Sequence, residues 1–286
     1  MKKDFNYLVN TFKNSIKTWD YFVNWNKVFS HSSELEIILN KLNYLLGKKN
    51  LKEEFIKLYS SNPDIIRAIP ALLAIREKNI ELFDLETKKS MFFNFNNNAN
   101  KKAEEYYDFI KNTGLAKLFN EDGIKNLVDY VIGVEVGLDS NGRKNREGTL
   151  MEDITEANII KFCNDKGLAY LKQVNAKKIK EEWGLIVEVD KSSRSFDFAI
   201  YNPKNNKIKL LEVNFYNGGG SKLKAVCGEF KSLYTDLRKQ NIDFIWITDG
   251  KGWETALRPL EETYNHNEYV FNLNMIENGI LNDLIW

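Results

Sequence analysis

Residues 195–223 read SFDFAIYNPKNNKIKLLEVNFYNGGGSKL, and the rest of the fold is organised around them. Two short runs of strand-forming residues flank the polar turn Asn202–Lys207, an arrangement typical of a β-hairpin. The first run alternates apolar side chains with Asp197. The second carries Glu212 and, two positions later, Asn214. The pattern predicts an antiparallel hairpin followed by three glycines and the start of a helix.

The turn also predicts which residues of the two strands face each other. Pairing of Tyr201 with Ile208 places Asp197 opposite Glu212, with Cβ atoms about 5 Å apart on one face. Asn214 joins this face because side chains two positions apart in a strand point the same way. Two opposed carboxylates destabilise a hairpin unless a positive group lies between them, and Mg²⁺ typically binds one or two carboxylates together with substrate phosphate. The alternative is a solvated strand face on which two acids meet by coincidence.

The composition indicates a folded protein without a strong overall charge. With 43% hydrophobic and 13% aromatic residues, the 286-residue chain has enough apolar material for one large domain or two modest ones. Because the net charge is +1, a nucleic-acid partner would have to bind local basic patches. Cys163 and Cys227 have no metal-ligand spacing, which argues against a structural zinc site or a disulfide scaffold. No apolar run suits a signal peptide or a membrane span, so we expect a cytoplasmic protein.

The spacing of apolar residues changes along the chain. Residues 1–115 show helical periodicity and predict a helical N-terminal region. Residues 116–286 form the second predicted region and show the pattern of helix, strands, helix, strand and helix. Strands are expected at Tyr170–Val174 and Leu185–Val189 before the hairpin, and at Asp243–Thr248 after it. This order predicts an α/β (α+β) fold with a central mixed β-sheet flanked by helices.

A basic segment, Leu138–Arg146, is predicted as a donor-rich loop that precedes a helix carrying Glu152. Its side chains Arg143, Lys144 and Arg146 suit contacts with DNA phosphates. Arginine also reads guanine through two hydrogen bonds in the major groove. A solvated basic loop is the alternative.

Three glycines and a serine, Gly218–Ser221, follow the second hairpin strand. Glycine lets backbone N–H groups come close to a ligand, and the start of a helix favours phosphate. Gly219, Gly220 and Ser221 are therefore candidates for contact with DNA. A flexible exit from the hairpin is the alternative.

The order of the acidic groups resembles the PD-(D/E)xK nuclease superfamily, with Glu152 on a helix, Asp197 on a strand and Glu212-x-Asn214 on its hairpin partner. The resemblance implies that Asp197 and Glu212 hold Mg²⁺, which would polarise the scissile phosphate and lower the pKa of an attacking water. Glu152 would be an outer ligand of the metal or of water, or else an exposed helix acid. The superfamily's lysine is Asn214 here, and Lys222 is the candidate substitute for its charge, or else a solvated lysine.

Longer motifs resemble restriction endonucleases of the DpnII/MboI kind. These are Gly137–Arg146 followed by Met151-Glu152, Glu212–Tyr216 running into Gly218–Leu223, and Thr248–Trp253. The resemblance spans most of the chain, and asparagine at the lysine position is itself typical of that family.

The family resemblance implies a type II restriction endonuclease that cuts both strands of DNA at GATC sites lacking adenine methylation, using Mg²⁺. A palindromic site favours a homodimer on double-stranded DNA, and the functional partner would be a cognate adenine methyltransferase. Two other functions stay open at this point. One is a repair or junction-resolving nuclease of the same superfamily. The other, suggested by Asn214 and the modest net charge, is a DNA-binding module without catalysis.

Overall fold

A computed structural model of the chain describes residues 4–85, 87–96, 101–120, 123–189 and 193–286. The helices are α1 Phe5–Asn10, α2 Trp25–Leu42, α3 Leu51–Ser61, α4 Ile69–Leu72, α5 Ala103–Asn112, α6 Ala116–Asn120, α7 Leu127–Ser140, α8 Arg143–Lys166, α9 Ala176–Trp183, α10 Ser221–Lys239, α11 Leu257–His266 and α12 Leu273–Glu277. The strands are β1 Asn79–Asp84, β2 Lys89–Asn94, β3 Ala169–Asn175, β4 Ser195–Asn202, β5 Lys207–Phe215, β6 Asp243–Asp249 and β7 Tyr269–Phe271. Within the described ranges, no helix combines the length and apolar character that crossing a membrane requires.

The chain divides into two compact units. The sheet unit consists of Met1–Thr18 and Lys144–Trp286, and the helical unit of Trp19–Arg143. The helical unit is thus inserted in the sequence between the two pieces of the sheet unit. These limits differ from the regions 1–115 and 116–286 expected from the sequence, and that division into domains stays a prediction.

A five-stranded mixed sheet forms the centre of the sheet unit, in the order β3-β4-β5-β6-β7. The pairs β3-β4 and β4-β5 are antiparallel, whereas β5-β6 and β6-β7 are parallel. The α/β fold class with a central mixed sheet is confirmed. β6 reads as a continuous apolar run because the sheet is covered on both faces there, and its residues from Phe244 to Asp249 are all buried.

Helices pack on both faces of this sheet. On one face, the ring of Phe230 in α10 contacts Phe244 and Trp246 of β6, with centroids 5.4 and 5.1 Å apart. On the other face, Lys172 of β3 binds acidic side chains of α8. Burial of each large aromatic side chain in such a core contributes about 1.5–3 kcal/mol.

The predicted hairpin register is confirmed. Tyr201 pairs with Ile208, and the ladder continues in the same register to Phe198 and Leu211. At the next position the main-chain ladder gives way to a side chain, because the backbone N–H of Val213 donates to Oδ2 of Asp197 at 2.8 Å. A carboxylate therefore takes the place of a strand carbonyl where β4 and β5 separate.

Two local predictions are wrong. Leu185–Val189 is not a strand in the structure, since the Gln240 amide accepts from the N–H of Glu188 at 2.8 Å and donates to its carbonyl at 2.9 Å. The segment Leu138–Arg146 is mostly helical, because α7 continues to Ser140 and α8 begins at Arg143. Arginine, lysine and glutamate are good helix formers, so a short turn is enough between the two helices.

The helical unit has its own core, in which side chains of α2, α3, α5 and α7 pack together. It also contains an antiparallel hairpin, β1-β2, within the region expected to be helical. Ile80 and Leu82 of β1 pair with Phe93 and Met91 of β2, and Phe93 packs against Phe109 of α5 with ring centroids 4.9 Å apart. This packing gives the short hairpin the apolar support that an isolated one lacks.

The carboxylate of Asp249, at the end of β6, joins three parts of the sheet unit. Its Oδ1 accepts from the backbone N–H of Lys13 and of Gly250, both at 2.7 Å, and its Oδ2 accepts from that of Leu273 at 2.9 Å. The residue is fully buried. Burial raises the pKa of this carboxyl, although the three backbone donors act in the opposite direction.

We expect Asp249→Ala to lower the free energy of unfolding by at least about 3 kcal/mol, because each buried donor left unsatisfied costs about 1–3 kcal/mol. Asp249→Asn should lose less, since the amide oxygen still accepts on one side. Urea unfolding followed by circular dichroism measures both changes. Asp236→Ala on the exposed surface of α10 serves as control. Equal stability of Asp249→Ala and wild type would contradict the role of this carboxylate.

Candidate active site

The carboxyl groups of Asp197 and Glu212 meet where β4 and β5 separate, and they are hydrogen-bonded to each other. Both side chains are half-buried. Asp197 is held in place by the N–H of Val213, which follows Glu212 in β5. The structure thus brings together the two acids that the sequence predicted to face each other.

Burial gives this pair unusual electrostatics. Loss of solvent, followed by the neighbouring charge of Asp197, raises the pKa of Glu212 to about 9. Burial also raises the pKa of Asp197, while the hydrogen bond from Val213 opposes the shift. At neutral pH the pair therefore keeps a proton on Glu212, because two adjacent buried carboxylates cannot both ionise without a compensating charge.

The same pair fits a divalent cation, which would replace the shared proton. Among the described residues, no three His, Cys, Asp or Glu side chains are grouped as a metal site. Two carboxylates are nevertheless what Mg²⁺ typically takes from a protein when water and substrate phosphate supply its other ligands.

Asn214 lies on the same strand, two residues after Glu212, and a hydrogen bond from Trp246 of β6 fixes the orientation of its side chain. The indole Nε1–H of the buried Trp246 donates to Oδ1 of Asn214 at 3.1 Å. Because an indole nitrogen can only donate, the amide oxygen must face Trp246, and the NH₂ group remains as a donor. Position 214 therefore offers N–H groups but no charge.

Glu152 reaches the carboxyl pair through a residue that the sequence did not indicate. The Nε2 amide of Gln173 donates to Oε2 of Glu152 at 2.9 Å and to Oδ1 of Asp197 at 3.2 Å. Burial raises the pKa of Glu152, and the hydrogen bond from Gln173 partly offsets that shift. The predicted third acid is thus close to Asp197, with Gln173 between them.

Lys222 is exposed in the first turn of α10. The positive groups that lower the pKa values of the acid pair are instead Lys172, acting on Asp197, and Arg194, acting on Glu212. Both were missed from the sequence, where nothing distinguishes them from other surface cations.

Each of these cations is already paired. Lys172 binds Asp153 and Glu156 at 2.9 and 2.8 Å, and Arg194 binds Glu229 at 3.0 Å. Both cations therefore form ion pairs with acids other than Asp197 and Glu212.

Two segments predicted to contact DNA come together in the sheet unit. The side-chain amide of Asn217, beside the glycines, donates to Glu147 in the second turn of α8. Arg146 precedes Glu147, whereas the side chain of Lys144 lies outside the described part of the chain. In the helical unit, Arg143 donates from Nε to the carbonyl of Phe22 at 3.1 Å.

The glycine segment is locked to the turn after β6. The N–H of Tyr216 donates to the carbonyl of Asp249 at 2.9 Å, and the N–H of Gly252 donates to that of Tyr216 at 2.8 Å. A Cβ at Gly250, whose φ is +104°, would lie 2.4 Å from the Tyr216 oxygen, and one at Gly252 would lie 2.6 Å from it. Side chains are thus excluded here because two backbones touch.

The predicted phosphate-contact residues lie in this locked segment. A Cβ at Gly219 would lie 2.2 Å from Oγ1 of Thr255, and Gly220 has a φ of +144° immediately before α10. Packing therefore accounts for Gly219, and the positive φ accounts for Gly220. Ser221 begins the helix and is exposed. A role for the three residues in binding phosphate stays a prediction.

Comparisons with known proteins show the family of the chain. The sequence model of a family described as DpnII restriction endonuclease matches residues 4–283. The chain is 44% identical to the type II restriction enzyme MjaIII of Methanocaldococcus jannaschii, over 99% of each chain. It is 34% identical to DpnII of Streptococcus pneumoniae, over 99% of this chain and 98% of that enzyme. It is 37% identical to MboI of Moraxella bovis, over 96% and 93%. No solved structure matches.

The matches cover nearly the whole chain, so the two units are shared with these enzymes and not only the hairpin. The chain belongs to the DpnII restriction endonuclease family and is a type II restriction endonuclease.

Proposed function

We propose that this enzyme hydrolyses both strands of double-stranded DNA at GATC sites without adenine methylation, in a Mg²⁺-dependent reaction. The observation that carries the metal requirement is the contact between the half-buried carboxyl groups of Asp197 and Glu212, whose mutual repulsion a cation would relieve. The recognised sequence is proposed from the resemblance of the Gly137–Glu152 and Glu212–Leu223 motifs to DpnII and MboI.

Asp197 and Glu212 would hold the metal ion, with Glu152 beside them as an outer ligand. Bound Mg²⁺ polarises a phosphate oxygen and makes a bound water more acidic. The NH₂ group of Asn214, oriented by Trp246, is placed to donate to a water or to a phosphate oxygen. We propose Lys222 as the source of the positive charge that asparagine cannot supply.

DNA contacts are proposed for Arg143, Lys144 and Arg146 at the start of α8, and for the segment Gly219–Ser221. A palindromic site of four base pairs suggests that two copies of the chain bind DNA as a homodimer. The functional partner would be an adenine methyltransferase that protects the same sites, and both would act in the cytoplasm.

Incubation with plasmid DNA and Mg²⁺ tests the proposal directly. We expect discrete fragments that end at GATC sites from unmethylated plasmid, and no fragments from the same plasmid methylated at adenine, because the methyl group changes the major-groove edge of that base. Gel electrophoresis and sequencing of the fragment ends give the result. EDTA should prevent cleavage.

The other outcomes separate the competing functions. Cleavage confined to branched or damaged DNA would indicate a repair nuclease. Tight binding without cleavage under Mg²⁺ and Mn²⁺ would contradict both enzymatic functions. Fragments that end at another sequence would support the endonuclease activity but contradict GATC as the recognised site.

The isosteric variants Asp197→Asn and Glu212→Gln should lose cleavage by more than the about 10- to 100-fold typical of residues that only support a ligand. Both should remain folded, since each variant keeps the shape of the side chain and adds no charge. Single-turnover cleavage of a short GATC duplex measures the effect. Asp236→Asn is a control on the exposed surface, and near-normal activity of either site variant would refute the metal assignment.

Binding of Mg²⁺ at pH 7 should release about one proton, because the pKa of Glu212 is raised to about 9 in the metal-free protein and the cation displaces that proton. Affinity should accordingly rise with pH up to about 9. Calorimetric titration in two buffers of different ionisation enthalpy counts the released protons. Glu212→Gln should release none, and proton-free binding to the wild type would contradict the protonated pair.

A further inference from the structure

Gln173 occupies an unusual position at the edge of the sheet. In the β3-β4 register, Lys172 pairs with Phe198 and Val174 pairs with Phe196, so Gln173 lies opposite Asp197. The ladder is interrupted at this one position. Gln173 has a φ of +48°, and of the non-glycine residues with positive φ in the described ranges it alone lies within a strand.

The left-handed backbone breaks the alternation of side chains along β3. Strict alternation would place Lys172 and Gln173 on opposite faces of the sheet. Both side chains nevertheless bind carboxylates of α8: Lys172 binds Asp153 and Glu156, and Gln173 binds Glu152. The positive φ at Gln173 therefore redirects its amide toward Glu152 while leaving it within reach of Asp197. Strained non-glycine residues of this kind concentrate at functional sites.

The chemistry of the bridging group suits this place. The amide Nε2 carries two hydrogens and donates to one oxygen of Glu152 and one of Asp197. A carboxylate at position 173 would repel both acids. A lysine would form ion pairs with them and compete with a metal ion. A neutral donor can join the two acids and still leave their remaining oxygens for other ligands.

We propose that Gln173 is a positioning residue of the nuclease centre, whose side-chain amide holds the carboxylate of Glu152 beside Asp197. This inference rests on the proposed metal-dependent cleavage and adds the residue that brings the third acid to the site. A purely structural role does not account for the contact. The side chain is exposed and packs into no core, and glycine would adopt the same backbone more readily.

A double-mutant cycle tests the proposal. Gln173→Gly and Glu152→Ala should each slow single-turnover cleavage about tenfold or more, the loss usual for a supporting hydrogen bond. Each should also weaken Mg²⁺ binding measured by calorimetry with the metal alone. The loss in the double variant should be clearly smaller than the product of the two single losses, because both changes remove the same hydrogen bond between Gln173 and Glu152. Gln173→Glu, which keeps the length but reverses the contact to repulsion, should be slower than Gln173→Gly.

Thermal unfolding separates positioning from folding. Gln173→Gly should unfold at the wild-type temperature or above it. So should the control Asn241→Gly, which relieves a left-handed backbone with a φ of +58° elsewhere in the sheet unit and should cleave normally. Losses that multiply in the double variant, or a Gln173→Gly enzyme with normal cleavage and Mg²⁺ binding, would overturn the inference.

Failure of the proposed function has a different signature. If the wild-type protein does not cut GATC duplexes, the proposed function is wrong. The Mg²⁺ titration of the wild type, the two single variants and the double variant still decides whether Gln173 and Glu152 act together. Absence of Mg²⁺ binding as well would remove both.

Discussion

The contact between two half-buried carboxyl groups is the constraint on which the candidate site depends. Asp197 and Glu212 come together because the β4-β5 register puts them opposite each other, and burial, followed by the neighbouring charge of Asp197, raises the pKa of Glu212 to about 9. Such a pair lowers the stability of the folded protein, since a charge removed from water needs a partner of opposite charge. The surrounding groups supply partial compensation through the N–H of Val213 and the amide of Gln173. These two donors thus offset only part of the cost of bringing the two carboxyl groups together.

Rigid support for this centre comes from parts of the chain that carry no catalytic chemistry. Trp246 fixes the amide of Asn214 from the interior of β6. The turn that follows β6 holds the glycine segment by direct contact between backbones, and the indole of Trp253 anchors that turn by donating to Thr248 at 2.8 Å. Packing and hydrogen bonding thus explain the motif Thr248–Trp253, which resembles the DpnII/MboI enzymes. Its contribution to the candidate site is to fix the position of the segment that follows β5.

The hairpin and its acid pair were predictable because their determinants are local. A turn of six residues sets the pairing of Tyr201 with Ile208, and everything on β4 and β5 follows from it. Gln173 was not predictable, since α9 and a long connection separate β3 from β4 and no turn sets their register. The partner of Glu188 is a side chain, Gln240, which no strand pattern reveals.

The helical start of α8 shows a different limit of sequence reasoning. An Asn-Gly pair within a basic segment suggested a loop, whereas the helix-forming residues after it prevail and Arg143 already belongs to α8. Burial is a second property that depends on contacts which the local sequence does not contain. The acidic residues Glu135 and Asp139 of α7, for example, are buried in the helical unit although they look like surface residues in the sequence.

The anchoring of the N-terminal segment bears on how the protein comes to be active during synthesis. The backbone N–H of Lys13 binds Asp249, the carbonyl of Leu8 accepts from Asn272 at 2.8 Å, and the hydroxyl of Tyr7 donates to Asn274 at 2.9 Å. These partners are separated by more than two hundred residues, so the segment leaves the ribosome long before its binding surface exists. Contacts of such long range form late in folding. A nascent chain consequently lacks the closed sheet unit until translation has passed the last strand.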